Sequence, residues 1–434
     1  MQSLEQLACA LDAGRFDSSF QMLYGCADAS AESCRQRYAL LLEGFRKSFG
    51  KQARDFAFFS APGRTELGGN HTDHQQGRVL AASVDLDVIA LAAKNDLGRV
   101  RVVSEGFAQD ELELADLTPQ PQEANTSAAL IRGVCAGFAQ KGYSIGGFDV
   151  YTTSNVLKGS GLSSSASFEI LLGTILNEFF AEKAESSTSI AQIGQYAENV
   201  FFKKPSGLLD QMACATGGVI AIDFKEKEHP FVEPIPLDLD AAGYVLCIVD
   251  TGADHAGLTV EYSAIPAEMG MVAMALGKTV LREVSPEQFY SALPSLRRRL
   301  GDRALMRAMH FYGENQRALQ QAQALKAGDM PRFLQLTRES GASSFQYLQN
   351  VSCHSHSTAT QPVALALALA QHLLAGEGAF RVHGGGFAGT IQAYVPTQQL
   401  EHFKSGMEAL LGKGTCHIVA IRPVGGVRLT ESST

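Results

Sequence analysis

The chain of 434 residues carries 36 lysines and arginines against 45 aspartates and glutamates, for a net charge of −9, and 45% of its residues are hydrophobic. This is ordinary globular composition with enough length for two domains, and the acidic balance argues against nonspecific nucleic-acid binding. The eight cysteines are scattered without a C-x-x-C pair, so they read as reduced thiols of a cytosolic protein. No basic stretch followed by an apolar one opens the chain, so no signal peptide is expected. The apolar run Val363 to Ala370 is too short to span a bilayer, and a cytoplasmic protein with no membrane partner is expected. In that setting the sequons at Asn70, Asn125 and Asn350 carry no meaning.

Residues 1 to about 50 read as short helices, with Leu4, Leu7 and Leu11 near helical spacing. A strand from Phe56 is expected to end at Ser60, broken by Pro62 and Gly63. The loop that follows concentrates Arg64, Glu66, Asn70, His71, Asp73 and His74. Alone, it suits a solvated loop with one buried histidine; equally, carboxylates that accept and imidazole and amide groups that donate suit a polyol. Val79 to Ala93 reads as a strand, paired with Arg99 to Val103. A proline-bearing loop, Asp116 to Ala124, and a helix, Ala128 to Ala139, follow.

A β-rich segment, Gly147 to Thr153, runs into S-N-V-L-K-G-S-G-L-S-S-S-A-S (Ser154 to Ser167), and an apolar helix, Phe168 to Phe180, runs out of it. Gly159 and Gly161 allow close backbone approach, and Ser160, Ser163, Ser164 and Ser165 offer hydroxyls at a helix start. Inward N–H groups and the helix dipole make this a phosphate cradle. It is neither a Walker loop nor a dinucleotide fingerprint, since Ser164 stands where the third glycine belongs. The bland alternative is a serine-rich helix cap. A helix from Ser189 to Phe202 carries Glu198, and Lys204 to Asp223 holds Gly207 and Asp210 among apolar neighbours.

Proline and polar residues around Pro230 to Leu239 mark the domain boundary. Beyond it come a strand, Tyr244 to Val249, a polar stretch to Tyr262 and a helix, Ala275 to Val284. In the long helix Met306 to Leu325, His310, Glu314 and Arg317 share one face and read as a structural polar ladder. Cys353, His354 and His356 crowd into a Ser/His-rich loop without further ligands at metal spacing, and read as coincidence. F-R-V-H-G-G-G-F-A-G-T (Phe380 to Thr390) demands tight backbone packing. The chain then closes on a strand and a further strand pair.

The stretch Gly159 to Ser167 resembles the nucleotide-binding motif of the GHMP small-molecule kinases, galactokinases above all; Leu157 and Lys158 replace the usual Pro-Leu, and Lys158 adds a positive charge. Pro62 to Gly77 is similar to the galactokinase signature P-G-R-x-N-x-x-G-E-H-T-D-Y-x-x-G, matching at Arg64, Gly69, His71, Thr72, Asp73 and Gly77. It departs at Glu66, Asn70 and His74. Residues 38 to 396 carry the family's motifs in order. The resemblance implies a two-domain α+β GHMP kinase fold with the active site in the cleft between. An N-terminal αβ domain (1–235) bears the phosphate-binding loop, and a ferredoxin-like αβ domain (236–434) follows; residues 1–35 lie outside the family pattern.

The same resemblance implies ATP and Mg²⁺ as cofactors and a small-molecule sugar as partner. Asp210 would be the base and Arg64 its charge partner. Asn70, His71, Asp73, Gly207 and Tyr262 would face the sugar, with Glu66 nearby. Lys158, Gly159, Ser160, Gly161, Leu162, Ser163, Ser164 and Ser165 would hold the nucleotide, and Ser165 and Glu198 the metal. The implied reaction is phosphorylation of galactose at O1. A family acid at position 70 would repel a C6 carboxylate by about 4 kcal/mol at close range; Asn70 removes that barrier, so galacturonate is the first alternative and N-acetylgalactosamine the second. Glu66 four residues upstream can compensate. A non-catalytic sugar and ATP sensor on the same fold is a further alternative, disfavoured by Arg64, Ser165, Glu198 and Asp210. Mevalonate or homoserine is disfavoured by the H-T-D loop.

Overall fold

A computed structural model describes residues 3–25, 28–50, 54–156, 162–253, 258–352 and 359–432. Helices α1 (Leu4–Asp12), α2 (Asp17–Tyr24) and α3 (Asp28–Phe49) open the chain, α1 capped by a reciprocal Ser3–Gln6 box. Strands β1 (Arg54–Gly68) and β2 (Arg78–Lys94) form a long antiparallel pair. Then come β3 (Arg99–Ser104), β4 (Asp110–Glu113), α4 (Ser127–Gln140), β5 (Phe148–Ser154) and α5 (Ser164–Phe180). The first half closes with α6 (Ser187–Tyr196), α7 (Leu209–Thr216), β6 (Val219–Asp223) and β7 (Phe231–Ile235).

Its sheet runs β12-β1-β2-β5-β3-β4, with β6 on β2 and β7 on β6 (β12, Val427–Arg428, arrives from the end of the chain). Alternation along the strands splits the core in two. Ala57, Phe59, Ala90 and Ala92 face α5 and its neighbours. Phe56, Phe58, Ile89 and Leu91 face the N-terminal helices, where they meet Leu4, Leu7, Leu11, Phe16, Phe20 and Leu23. Helices α1, α2 and α3 therefore cover the back of the sheet, an apolar face that water would otherwise wet.

The second half contains β8 (Tyr244–Asp250), α8 (Thr259–Ala275), α9 (Pro286–Leu300), α10 (Asp302–Lys326), α11 (Met330–Ser343) and α12 (Pro362–Leu374). It continues through β9 (Ala379–Val382), β10 (Thr390–Pro396), α13 (Leu400–Leu411) and β11 (Cys416–Val419). Its sheet, β11-β8-β10-β9, is antiparallel throughout and has the fourth-first-third-second order of a ferredoxin-like unit. No helix among the described residues is long and apolar enough to cross a membrane.

Four local expectations fail. β1 does not end at Ser60 but runs to Gly68, because Pro62 sits at a register shift where the missing N–H costs no ladder bond. Arg99–Val103 does not pair with β2, because β5 lies between them and β3 pairs with β5 in parallel. No helix spans Ala275–Val284; α8 stops at Ala275, left-handed Gly277 turns the chain, and only a 3-10 turn, Leu281–Glu283, follows. The last two strands are not a pair: β11 belongs to the second sheet, and β12 returns to β1.

β2 is the spine. Arg78–Ala82 pairs with β6, Val88–Lys94 pairs with β5, and the irregular stretch between opens the sheet. The two halves of the molecule meet along α10. There His310 Nε2 lies 2.9 Å from the carbonyl of Asn70, and Glu314 accepts the N–H of Gly69 at 3.0 Å and the hydroxyl of Ser340 at 2.6 Å. Glu314 also pairs with Arg317. The polar ladder thus holds the loop after β1.

Burial alone would raise the Glu314 carboxyl, but Arg317, with His310 and Arg381, brings it down to about 2. A depressed carboxylate contributes stability above its unfolded value, lost as pH falls from about 4.5 towards 2. The difference amounts to about 3 kcal/mol. Urea unfolding across that window is expected to show this loss in the parent chain and a flatter profile in Glu314→Gln; equal slopes would contradict the assignment.

Candidate active site

The opened stretch of the sheet brings the chemistry-bearing segments together. Leu162, at the end of the phosphate loop, accepts the Arg64 N–H at 3.1 Å, and Ser167 on α5 donates to the carbonyl of Pro62 at 2.9 Å. The start of α5 is thereby bonded to β1. α7 then delivers Asp210, whose carboxylate receives Arg64 Nε at 2.7 Å. The Arg64 side chain is 8% exposed and that of Asp210 28%, so the carboxylate opens on the cleft while the cation lies behind it.

Ser163 occupies the N-cap position of α5 in a left-handed conformation (φ 56°), uncommon for a non-glycine residue. Its hydroxyl donates to the second oxygen of Asp210. Burial would push the Asp210 carboxyl up; Arg64 and the Ser163 hydroxyl outweigh it and hold the group below the ordinary carboxylate range. Asp210 is therefore an ionised acceptor at neutral pH.

The loop after β1 lies across from it. Asp73 packs on Gly207 so tightly that a Cβ there would stand 1.7 Å from Asp73 Oδ2 and would have to displace the carboxylate. His71 Nε2 lies 3.0 Å from the carbonyl of Gly385; a carbonyl only accepts, so Nε2 carries the proton. Burial, with His74 beside it, lowers His71 to about 3, so the ring is neutral. Asn70 Nδ2 donates to the Gly384 carbonyl at 2.8 Å, and the Tyr262 hydroxyl to that of Gly386 at 2.8 Å. The glycine triplet is thus a row of three carbonyls that holds Asn70, His71 and Tyr262 in turn.

Asn70 is fully buried, and the protein uses its whole amide. Nδ2 also donates to Glu66 at 3.0 Å, while Oδ1 accepts from Asn350 at 2.9 Å and Ser344 at 3.2 Å. Glu66 in turn pairs with buried Arg381 at 2.6 Å. Burial raises the Glu66 carboxyl to about 7 against the pull of Arg381 and Arg64. Glu66 and Asn70, both expected near the sugar, are bonded to each other.

Glu198 lies on the π-helical turn Ala197–Phe202 after α6. Ser165 Oγ lies 3.2 Å from its Oε1, and Lys204 Nζ, 2.7 Å from the same atom, supplies a positive charge there. Gln211 bridges Glu198 and Glu169 at 2.8 and 2.9 Å. Among the described residues no three His, Cys, Asp or Glu side chains gather as a metal cluster. One carboxylate and one hydroxyl nevertheless suit Mg²⁺, which takes few protein ligands and completes its shell with phosphates and water.

A cavity of about 210 Å³ opens beside the start of α5, lined by Ser164, Phe168, Ser104, Glu105, Phe107 and Val88. Sequence reading missed this cavity, whose walls come from four separate elements. It also missed Arg381 and Lys204 as charge partners, and Gln211 as the bridge between Glu169 and Glu198. Lys158, Gly159, Ser160 and Gly161 lie outside the described residues, as do Cys353, His354 and His356.

Residues 43–94 match the galactokinase galactose-binding signature, and residues 129–218 match the GHMP kinases N terminal domain. The fold and the site together define a GHMP kinase with two α+β domains and the site in the cleft. The galactokinase of Actinobacillus pleuropneumoniae serotype 5b is 32% identical over 377 residues, covering 84% of this chain and 91% of that protein. That of Glaesserella parasuis serovar 5 is 32% identical over 369 residues, covering 82% and 89%. The crystal structure of Lactococcus lactis galactokinase complexed with galactose superposes with a TM-score of 0.76 at 26% identity, over 90% of this chain and 99% of that one. The chain belongs to the galactokinase family.

Asp210→Asn keeps the shape of the side chain and removes its charge. Turnover is expected to fall about 10²–10⁴-fold at a temperature where circular dichroism shows the variant still folded, the unpaired Arg64 lowering its melting temperature as well. Retention of more than about a tenth of parental turnover, a barrier change under ~1.4 kcal/mol, would contradict a role for the carboxylate.

Proposed function

We propose that the protein phosphorylates D-galactose at O1, with ATP as donor and Mg²⁺ as the metal. The observation that carries the reading is the Arg64–Asp210 pair, which meets the start of α5 through Ser163, while Gly207, three residues before Asp210, packs on Asp73 of the loop after β1. In this reading O1 attacks the γ-phosphorus, the bond from that phosphorus to the bridging oxygen breaks, and its electron pair leaves with ADP. The O1 proton passes to Asp210. Arg64 keeps Asp210 ionised beforehand and balances charge on the transferring group. Phosphoryl transfer depends chiefly on such positioning and neutralisation.

His71, Asp73, Gly207 and Tyr262 form the sugar-facing wall, and the glycine triplet fixes the positions of His71 and Tyr262. The cavity flanked by Phe107 and Phe168 suits a purine, with the triphosphate running to Lys158–Ser165 at the N-terminus of α5. Mg²⁺ held by Ser165 and Glu198 would neutralise the phosphate oxygens.

The internal use of Asn70 favours galactose over galacturonate. A C6 carboxylate would need a donor, and both Asn70 amide hydrogens are already taken by Glu66 and the Gly384 carbonyl. A carboxyl group remains beside position 70 at Glu66, one hydrogen bond away and paired with Arg381. A direct test is ADP release with ATP, Mg²⁺ and a panel of galactose, galacturonate, N-acetylgalactosamine, glucose and arabinose. Galactose is expected to exceed galacturonate in kcat/KM by at least about a hundredfold, or ~2.7 kcal/mol. The reverse order would make Asn70 a specificity switch for the acid, and sugar binding without turnover would favour the sensor.

A further inference from the structure

We propose that the N-terminal helices position one wall of the nucleotide cavity, because Tyr24 and Arg37 lock Asp87, whose main chain holds Asn155 between the cavity residues Ser154 and Val156. This rests on the kinase reading above for the identity of the ligand. Asp87 is buried in the irregular stretch of β2, between Asp85 and the cavity wall at Val88. Its main chain holds Asn155 on both sides: the Asp87 N–H donates to Asn155 Oδ1 at 2.6 Å, and the Asp87 carbonyl accepts the Asn155 N–H at 3.1 Å. Asn155 stands between Ser154 and Val156, two cavity residues, two positions before Leu157.

The carboxylate of Asp87 is held by four donors. Arg37 on α3 donates to Oδ1 at 2.6 Å and to the Asp87 carbonyl at 3.2 Å. Tyr24, the last residue of α2, donates to Oδ2 at 2.6 Å. Arg422, from the segment that returns to the first sheet, reaches the same oxygen at 3.0 Å, and Ser60 also bonds it. An isolated buried carboxylate would be strongly unfavourable, so these donors fix where Asp87 can sit. The far end of the loop is tied to the same irregular stretch through Leu162 and the Arg64 N–H. Both ends of the loop are therefore set by one break in the β1–β2 ladder, and residues of the N-terminal helices hold that break.

Tyr24 and Asp87 act here as positioning residues; neither is placed against the substrate. Calorimetric titration with Mg²⁺–ADP, without sugar, reads the nucleotide site separately from turnover. Tyr24→Phe is expected to weaken ADP binding by about three- to tenfold, as for one lost hydrogen bond, with the sugar KM unchanged. Asn155→Ala is expected to weaken it comparably, and the double variant to lose no more than the larger single change. Leu7→Ala, which loosens the same helical cover away from Asp87, is the control: it should lower the melting temperature and leave ADP affinity alone. Unchanged affinity in Tyr24→Phe, additive losses in the double variant, or an equal loss in Leu7→Ala would overturn the proposal. Absence of ADP binding in the parent chain would instead reject the kinase reading.

Discussion

The ion pair of Arg64 and Asp210 is the constraint around which the site is arranged. A guanidinium that is 8% exposed cannot be left unpaired, and its partner must still reach the cleft. The fold meets both demands by taking Arg64 from the middle of a long strand and Asp210 from the first turn of a short helix. Ser163 closes the arrangement from the cap of α5, in a conformation that serine tolerates only under such restraint. Three segments distant in sequence thus converge on one carboxylate, and the break in the β1–β2 ladder makes room for them.

Much of this was legible because the chemistry-bearing residues lie in compact motifs. The Gly/Ser run before an apolar helix, the R-T-E-L-G-G-N-H-T-D loop and the L-L-D-Q segment each state their residue types locally. Their convergence is a property of the fold, and the family pattern supplied it. The errors fall where a distant partner decides the outcome. Pro62 and Gly63 look like a strand end, yet Pro62 lies opposite Asp87 inside the pair. Arg99–Val103 looks like the hairpin partner of β2, yet the crossover through α4 inserts β5 between them. The N-terminal helices carry no motif, and only the apolar back face of the sheet explains them.

The Glu66 and Asn70 pair shows why reading a site residue in isolation misleads. Taken alone, Asn70 is a lost acid and a gained donor. Within the structure, its amide bonds Glu66, and Arg381 neutralises that glutamate from the second domain. A carboxyl and an amide four residues apart, one near the end of β1 and one in the loop after it, keep a hydrogen-bonded pair in the same place when exchanged. The network extends through Asn350 and the carbonyls of Gly384–Gly386, so the sugar loop is held by residues from both halves of the molecule. Positional precision of this kind is what a reaction that depends on alignment requires.

The central claim is that Asp210 and Arg64 direct phosphate onto the anomeric oxygen of galactose. Phosphorus and proton NMR of the product made from galactose and ATP tests it most directly. The account predicts a single sugar phosphate whose phosphorus is coupled to the anomeric proton, with ADP formed in equal amount. A phosphate coupled to the C6 protons, or ADP formed with no sugar phosphate at all, would contradict it.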